Sequence, residues 1–257
     1  FWQALPFALL ASVLAGVILG LPVLKVRGDY LAIVTLGFGE IVRLLALSDW
    51  LEDKLGGTQG IQSIAQPRIG SMVLNTQAEL YYLIILGILL ALFIAWRLKD
   101  SHLGRSWMAL REDEDVAQAM GINTVGTKLM AFATGAFFSG LAGAIFAAKL
   151  TSAYPHSFNF LVSINVLSLI IIGGMGSIPG VIVGALVMVG VPELLREFAE
   201  FRLLAYGAIL VAMMLIRPEG ILPEARRKLE LHEEEPAEVI DEDNPDPANP
   251  VDQEKRP

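Results

Sequence analysis

The sequence predicts an all-α, polytopic integral membrane helix bundle with about seven spans in its 257 residues. Residues 150–192 contain no Asp, Glu, Lys or Arg, a run about twice the ~20 residues that cross a bilayer as a helix. Further uncharged windows precede and follow this run, and hydrophobic residues make up 54% of the chain. These windows show little amphipathic periodicity, and backbone groups in hydrocarbon must be paired within a helix.

Each predicted span occupies one window of the sequence. The windows are 1–24, 30–47, 80–96, 129–148, two helices within 150–192, and 203–216. The second window is apolar except for Glu40 and Arg43. Two helices are expected within 150–192 because the segment Ile172–Gly180 is rich in Gly and contains Pro179, residues that end or break a helix.

Small residues recur four positions apart, a spacing that lets helix backbones approach closely in a membrane. The rows are Gly16 and Gly20; Gly135, Ser139 and Gly143, with Ala136, Gly140, Ala144 and Ala148 beside them; and Gly176, Gly180 and Gly184. The residues assigned to the break and to helix packing are Gly173, Gly174, Gly176, Pro179, Gly180 and Gly184. The sequence therefore predicts a closely packed bundle.

The Lys and Arg residues predict the orientation, because cytoplasmic loops carry an excess of them. If the spans alternate, one set of loops carries eleven basic residues and the other set carries five. The richer set includes the loop 98–128 and the C-terminal segment, so both are predicted to be cytoplasmic. The loop 48–79 is then outside, and the glycine-rich break either lies on the cytoplasmic side or forms a re-entrant turn.

The formal net charge of −8 is concentrated at the C-terminal end, where residues 224–257 contain 12 acidic and 5 basic residues. Such a segment buries too little apolar surface to fold, so 223–257 is predicted to be a disordered acidic tail. Residues 1–222 form the predicted transmembrane domain. We expect this domain to be N-terminally incomplete, because the chain opens without Met inside a hydrophobic run. The charge pattern implies no nucleic-acid partner.

The sequence contains no Cys, and its three His residues are far apart, so neither disulfides nor a metal site is expected. No Ser/His/Asp arrangement indicates a catalytic site, and no cofactor is expected. Residues 121–128 resemble a phosphate-binding loop only superficially, because Gly126-Thr127-Lys128 has the wrong order and a membrane helix follows. The chain is therefore predicted not to be an enzyme and to have no ATPase site of its own.

The loop 98–128 is the most informative polar segment, and its second half predicts a short helix. The acidic run Glu112–Asp115 would lie in the first turn, where the helix dipole favours negative charge, and Gly121 would form a left-handed cap. An apolar stripe on one face consists of Val116, Ala119 and Met120. Two turns of helix do not hold together alone in water, so the stripe needs a surface. That surface is either the protein's own cytoplasmic face or a groove in a partner.

An ionisable pair lies inside the second window. Glu40 and Arg43 are three residues apart, so they share a helix face and can form an ion pair. Ionisable groups at membrane depth usually face protein or a water-filled path. Thr35, Gly39 and Glu40 are therefore candidates for a translocation path, and the alternative is a structural ion pair near the outer interface.

Five segments of the chain resemble the motifs of one family. They are RGDYLAIVTLGFGE at 27–40, GTQGI at 57–61, ALREDE and AMGI within 109–122, GGMGSIPG at 173–180, and RPEGI at 217–221. Together, and in this order, they resemble the permease subunits of branched-chain amino acid ABC importers, the Liv type. The resemblance extends from about Leu21 to Ile221, and the long acidic tail departs from it.

The resemblance implies a multi-pass protein of the cell inner membrane that works with a second permease subunit, two cytoplasmic ATP-binding subunits and an extracytoplasmic solute-binding protein. Residues Arg111–Gly121, here named the docking segment, would contact the ATPase. The implied substrates are branched-chain amino acids or related small polar solutes, with urea or short-chain amides as the alternative. A stand-alone ion-coupled secondary transporter or channel, with Glu40 as its coupling group, is the alternative function.

Overall fold

The computed structural model describes residues 1–24, 26, 29–69, 72–74, 76–194, 207–208, 211, 213, 215 and 220–222. Its helices are α1 (Ala4–Val23), α2 (Asp29–Leu47), α3 (Asp49–Leu55), α4 (Gln77–Lys99), α5 (His102–Glu112), α6 (Glu114–Ala119), α7 (Thr124–Leu150), α8 (Phe160–Gly173) and α9 (Ile178–Leu194). Short 3-10 turns cover Gly57–Gln59 and Pro155–Ser157. Strands β1 (Arg68–Ile69) and β2 (Met72–Val73) pair antiparallel, with Ile69 opposite Met72.

The predicted fold class is confirmed, because a helix occupies each of the first six predicted windows. Four helices in the described ranges are long and apolar enough to cross a bilayer. They are Ala4–Val23, Gln77–Lys99, Thr124–Leu150 and Pro155–Gly173, which includes the preceding 3-10 turn. The apolar part of α9 is shorter, Ile178–Gly190. Most of the seventh window, 203–216, and all of the tail 223–257 lie outside the described residues.

Local signals explain where the long helices begin and end. Thr76 and Glu79 form a capping box at the start of α4, and the Thr76 N–H donates to Glu79 Oε2 over 3.1 Å. Arg97 and Lys99 lie in the last turn of α4, where the helix dipole favours positive charge. The interior of α4 between these ends is uncharged. This suits a helix that crosses hydrocarbon and pairs its own backbone groups.

Helix α1 packs along α7 through the small residues that the sequence analysis identified. A Cβ atom at Gly16 would lie 2.5 Å from the Ala136 Cβ and 2.9 Å from the Phe132 carbonyl oxygen. At Gly140 it would overlap the Ser12 side chain. Gly135 and Gly143 have no such neighbour within 4 Å among the described residues. The contact therefore uses the row that contains Ala136 and Gly140, and close backbone approach is confirmed there.

Many large apolar side chains on the helices point outward, including Phe7 (74% exposed) and Phe93 (71% exposed). A water-soluble protein rarely exposes apolar surface on this scale. Hydrocarbon or a neighbouring membrane subunit is the environment that suits such a surface. The exposure pattern therefore agrees with the membrane assignment made from the uncharged windows.

Two compact units divide the chain, the first ending at Asn165 and the second beginning at Val166. In the second unit, α8 ends at Gly173 and α9 begins at Ile178, so the predicted break lies between them. Gly174 and Gly176 adopt positive φ angles of 111° and 87°, a conformation that favours glycine. The Ser177 hydroxyl accepts from the Gly180 N–H over 3.1 Å and caps the first turn of α9.

Candidate docking segment and solute cavity

The polar loop after α4 folds into two short helices, α5 and α6. Ser101 caps α5, because its hydroxyl accepts from the Gly104 N–H over 3.2 Å and donates to the Leu98 carbonyl over 2.6 Å. Gly104 is buried, and a Cβ atom there would overlap the carbonyl oxygens of Leu98 and Lys99. The missing side chain lets α5 begin directly against the end of α4. Helix α5 was not predicted from the sequence.

The predicted short helix is present as α6, with one correction. Glu112 lies outside its first turn, and Asp113 caps it: the Asp113 carboxylate accepts from the N–H groups of Asp115 (2.8 Å) and Val116 (3.0 Å). Glu112 instead ends α5, because Asp113 has extended backbone angles that separate the two helices. Gly121 adopts a positive φ of 85°, as predicted, so a left-handed residue follows the last turn of α6.

The apolar stripe of α6 faces away from the rest of the described chain. Val116 is 59% exposed and Met120 is 79% exposed, and Ala119 is exposed as well. Ala117, on a different face of the same helix, is buried at 3% exposure and makes the contact with the rest of the fold. The stripe therefore does not pack on the protein's own surface within the described residues. Arg111, at the end of α5, and Asp115 are exposed beside it.

Two contacts join α5 and α6 to the first turn of α7. The indole N–H of Trp107 donates to the Thr127 carbonyl over 2.9 Å. The Lys128 ammonium donates to Glu114 Oε1 over 2.6 Å, and these two side chains are only 20% and 24% exposed. Asn123 begins α7, with its side-chain oxygen accepting from the Gly126 N–H over 3.0 Å. The docking segment is thus attached to a long apolar helix.

A cavity of about 220 Å³ lies in the first unit between α2 and the start of α8. We name it the solute cavity. Its lining residues are Thr35, Leu36, Gly39 and Glu40 from α2, and Phe158, Asn159, Phe160, Val162 and Ser163 from the other wall. The three path candidates from the sequence therefore line one cavity. The second wall was not predicted, because no pattern within α2 indicates which distant segment covers it.

The solute cavity combines polar and apolar groups. Thr35, Glu40, Asn159 and Ser163 carry polar side chains, and the remaining lining is aliphatic or aromatic apart from Gly39. Among the described residues, a Cβ atom at Gly39 would meet nothing within 4 Å, so this glycine leaves open space beside them. The ring of Phe158 packs edge-on against Phe146 of α7, with centroids 5.8 Å apart. At about 220 Å³ the cavity has room for several waters.

Glu40 and Arg43 form the predicted ion pair. The Arg43 Nε donates to Glu40 Oε2 over 2.9 Å, and the Arg43 Nη2 donates to Glu40 Oε1. This two-point contact is the strong geometry for an arginine and a carboxylate. Glu40 lines the cavity while Arg43 holds both of its oxygens from the same helix face.

Two backbone connections organise the ends of the helices. Ile61, in the loop after α3, exchanges hydrogen bonds with Ala153, which follows α7, over 3.0 and 2.8 Å. In the second unit, the N–H groups of Ile221 and Leu222 donate to the carbonyls of Ile172 and Gly173. Each pairing joins loops that the alternating-span scheme assigns to one side of the membrane. The helical, lipid-compatible fold thus defines a polytopic membrane protein.

Comparison with known proteins gives the family. Residues 1–217 match the model of the branched-chain amino acid transport system permease component, and the chain belongs to this family. It is 41% identical to the high-affinity branched-chain amino acid transport system permease protein LivM of Salmonella typhimurium and equally to that of Escherichia coli. Each match covers 90% of this chain and 59% of the relative.

A more distant relative is the high-affinity branched-chain amino acid transport system permease protein LivH of Escherichia coli. It is 26% identical, over 71% of this chain and 63% of its own length. The chain therefore spans about three fifths of the length of the LivM relatives. No solved structure matches the chain.

Proposed function

We propose that the chain is a permease subunit of an ABC importer that moves branched-chain amino acids, with ATP hydrolysed on separate subunits. The observation that carries the proposal is α6, a capped helix whose apolar stripe faces solvent while its other face is attached to α7. An amphipathic helix that is presented in this way suits insertion into a groove. The family match supports the transport function.

The proposed assembly contains a second permease subunit, two cytoplasmic ATP-binding subunits and an extracytoplasmic solute-binding protein in the cell inner membrane. The docking segment and the C-terminal end would face the cytoplasm, because the set of loops to which they belong carries more Lys and Arg than the other set. The loop 48–79 would face the solute-binding protein. The outward apolar side chains of the helices would meet lipid or the second permease subunit.

The solute cavity would form part of the translocation path, with Thr35, Gly39 and Glu40 on one wall. A branched-chain amino acid has charged groups at one end and an aliphatic chain at the other. The cavity provides polar side chains for the first and Leu36, Val162 and aromatic rings for the second. Urea and short-chain amides, the alternative substrates, have little or no aliphatic part to use this apolar lining.

A stand-alone ion-coupled carrier would need Glu40 to exchange a proton or cation. Both oxygens of Glu40 are engaged by Arg43, which is already a permanent cation at this position. The ion pair therefore favours a structural or path-lining role for Glu40 over a coupling role.

The subunit composition of the purified complex tests the proposal. The tagged chain, extracted from its membrane in mild detergent, is expected to retain two nucleotide-binding subunits and a second permease subunit. Native mass spectrometry gives the stoichiometry, and competition by leucine, urea and acetamide against uptake of labelled leucine gives the substrate class. A chain that purifies alone and still transports solute would contradict the proposal.

The Glu40→Gln variant tests the path assignment. We expect it to lower leucine uptake several-fold while the ATP-binding subunits remain bound, because Arg43 loses its ionic partner at the cavity wall. The double variant Glu40→Gln, Arg43→Met removes both charges and is the control. It should reach the parent's amount of protein in the membrane but not the parent's uptake. If the double variant restored uptake fully, the pair would be structural only.

A further inference from the structure

The first two turns of α7 receive a polar contact from each of α5 and α6. Trp107 reaches the carbonyl of Thr127, and Glu114 reaches the side chain of the next residue, Lys128. We name these two contacts the clamp. They come from two different short helices and meet at adjacent residues of one long helix.

Helix α6 depends on the clamp for its direction. It has six residues, too few to be stable by themselves, and its caps fix its shape without fixing where it points. Ala117 is its buried residue, and alanine offers a small contact area. The Glu114–Lys128 ion pair is therefore a polar link that helps to set the angle between the exposed stripe and α7.

Helix α7 connects the clamp to the solute cavity. It runs without interruption over 27 residues, about 40 Å at 1.5 Å per residue. Just beyond the end of α7, Ala153 pairs with Ile61 of the loop after α3. Within the last two turns of α7, Phe146 packs against Phe158 of the cavity wall. A rigid displacement of the first turn would therefore reach both the loop and the cavity.

We propose that Glu114 and Lys128 are positioning residues that transmit movement of the docking segment to α7, so that breaking the pair uncouples ATP hydrolysis from solute movement. The proposal rests on the proposed function, because it needs a partner that moves α6. In this proposal the apolar stripe and the ion pair have different roles. The stripe binds the partner, and the Glu114–Lys128 pair transmits the partner's displacement to α7.

The partial exposure of the pair makes this role testable. The side chains are 20% and 24% exposed, so the pair is partly screened by solvent, and replacing one partner should lower stability without preventing folding. A coupling role requires a specific geometry and is lost when the link is removed. Stability and coupling should therefore respond differently to the same substitution.

The experiment uses the complete complex in proteoliposomes with the solute-binding protein and labelled leucine. The variants are Lys128→Met, Glu114→Gln, the conservative Lys128→Arg, and the charge swap Glu114→Lys with Lys128→Glu. Lys149→Met, which removes an exposed Lys from the far end of the same helix, is the matched control. The readouts are ATPase subunits retained per permease and leucine moved per ATP hydrolysed.

Lys128→Met and Glu114→Gln are expected to retain the ATPase subunits but to move at least about fivefold less leucine per ATP. Lys128→Arg and Lys149→Met should behave as the parent, and the charge swap should recover part of the loss, as expected for directly coupled residues. An unchanged ratio in both single variants would overturn the proposal. So would a loss of ATPase subunits in proportion to the loss of uptake, which would mean that the pair only supports docking. A parent complex that lacks ATPase subunits would instead overturn the proposed function itself.

Discussion

Replacing Ala119 with arginine is expected to release the ATPase subunits from the permease while the chain still inserts into the membrane. The side chain lies in the exposed stripe between Val116 and Met120, where the proposed partner groove would cover it. Burying an unpaired charge in such a contact is costly. We expect the retained ATPase to fall tenfold or more, equivalent to about 1.4 kcal/mol or more, with ATP-driven uptake lost in parallel.

The matched control is Gln118→Arg, which adds the same charge to the opposite, exposed face of α6. It should retain the ATPase subunits, because this side chain is not part of the stripe. Co-purification and uptake are measured on the same preparations. Uptake that survives in Ala119→Arg while the ATPase fails to bind would show that the chain does not work as an ABC permease subunit.

A side chain at Gly180 is expected to lower the amount of folded protein in the membrane. A Cβ atom there would overlap the Gly173 carbonyl oxygen and lie 2.9 Å from the Leu222 carbonyl oxygen. Both neighbours are backbone atoms, which cannot rotate away as a side chain can. Overpacking of this kind costs typically about 1–3 kcal/mol, so Gly180→Ala should already be harmful and Gly180→Leu more so.

Gly190 is the control for this prediction. It lies in the same helix, and a Cβ atom there would meet nothing within 4 Å in the described part of the chain. Gly190→Ala should therefore insert and unfold like the parent. Thermal unfolding in detergent, monitored by size-exclusion chromatography, compares Gly180→Leu and Gly190→Ala with the parent. Normal abundance and normal transport in Gly180→Leu would mean that this glycine row faces lipid and not α8.

The membrane helices were predictable from the sequence because one physical constraint dominates them. Charged groups are excluded from hydrocarbon over about 20 residues, so windows such as 80–96 and 129–148 nearly coincide with α4 and α7. The break between α8 and α9 was predictable for a similar reason, since Gly174 and Gly176 adopt backbone angles that glycine favours.

The polar loop was only partly predictable. The acidic run indicated α6, but it did not show that Asp113 separates two helices, so Glu112 was placed in the wrong one. Helix α5 is short, and its position depends on contacts with α4 and α7 that no local pattern contains. The Glu114–Lys128 pair spans a turn and a helix start, so no helical spacing rule indicates it.

The residues that line the solute cavity were also only partly predictable. Thr35, Gly39 and Glu40 could be selected from α2 alone, because an ionisable residue in an apolar window is unusual. Asn159 and Ser163, more than a hundred residues later, face them only through the tertiary fold. The hairpin β1–β2 was missed because its strands have two residues each, too short for an alternating pattern to appear.

The most direct test of the permease assignment is leucine uptake by the reconstituted complex under two energy sources. ATP is supplied on the side of the ATPase subunits, and ion gradients are first abolished with ionophores and then imposed without ATP. We predict uptake with ATP in the absence of any gradient, and none with a proton or sodium gradient alone. Uptake that follows an imposed ion gradient and ignores ATP would contradict the assignment and identify the chain as an ion-coupled carrier.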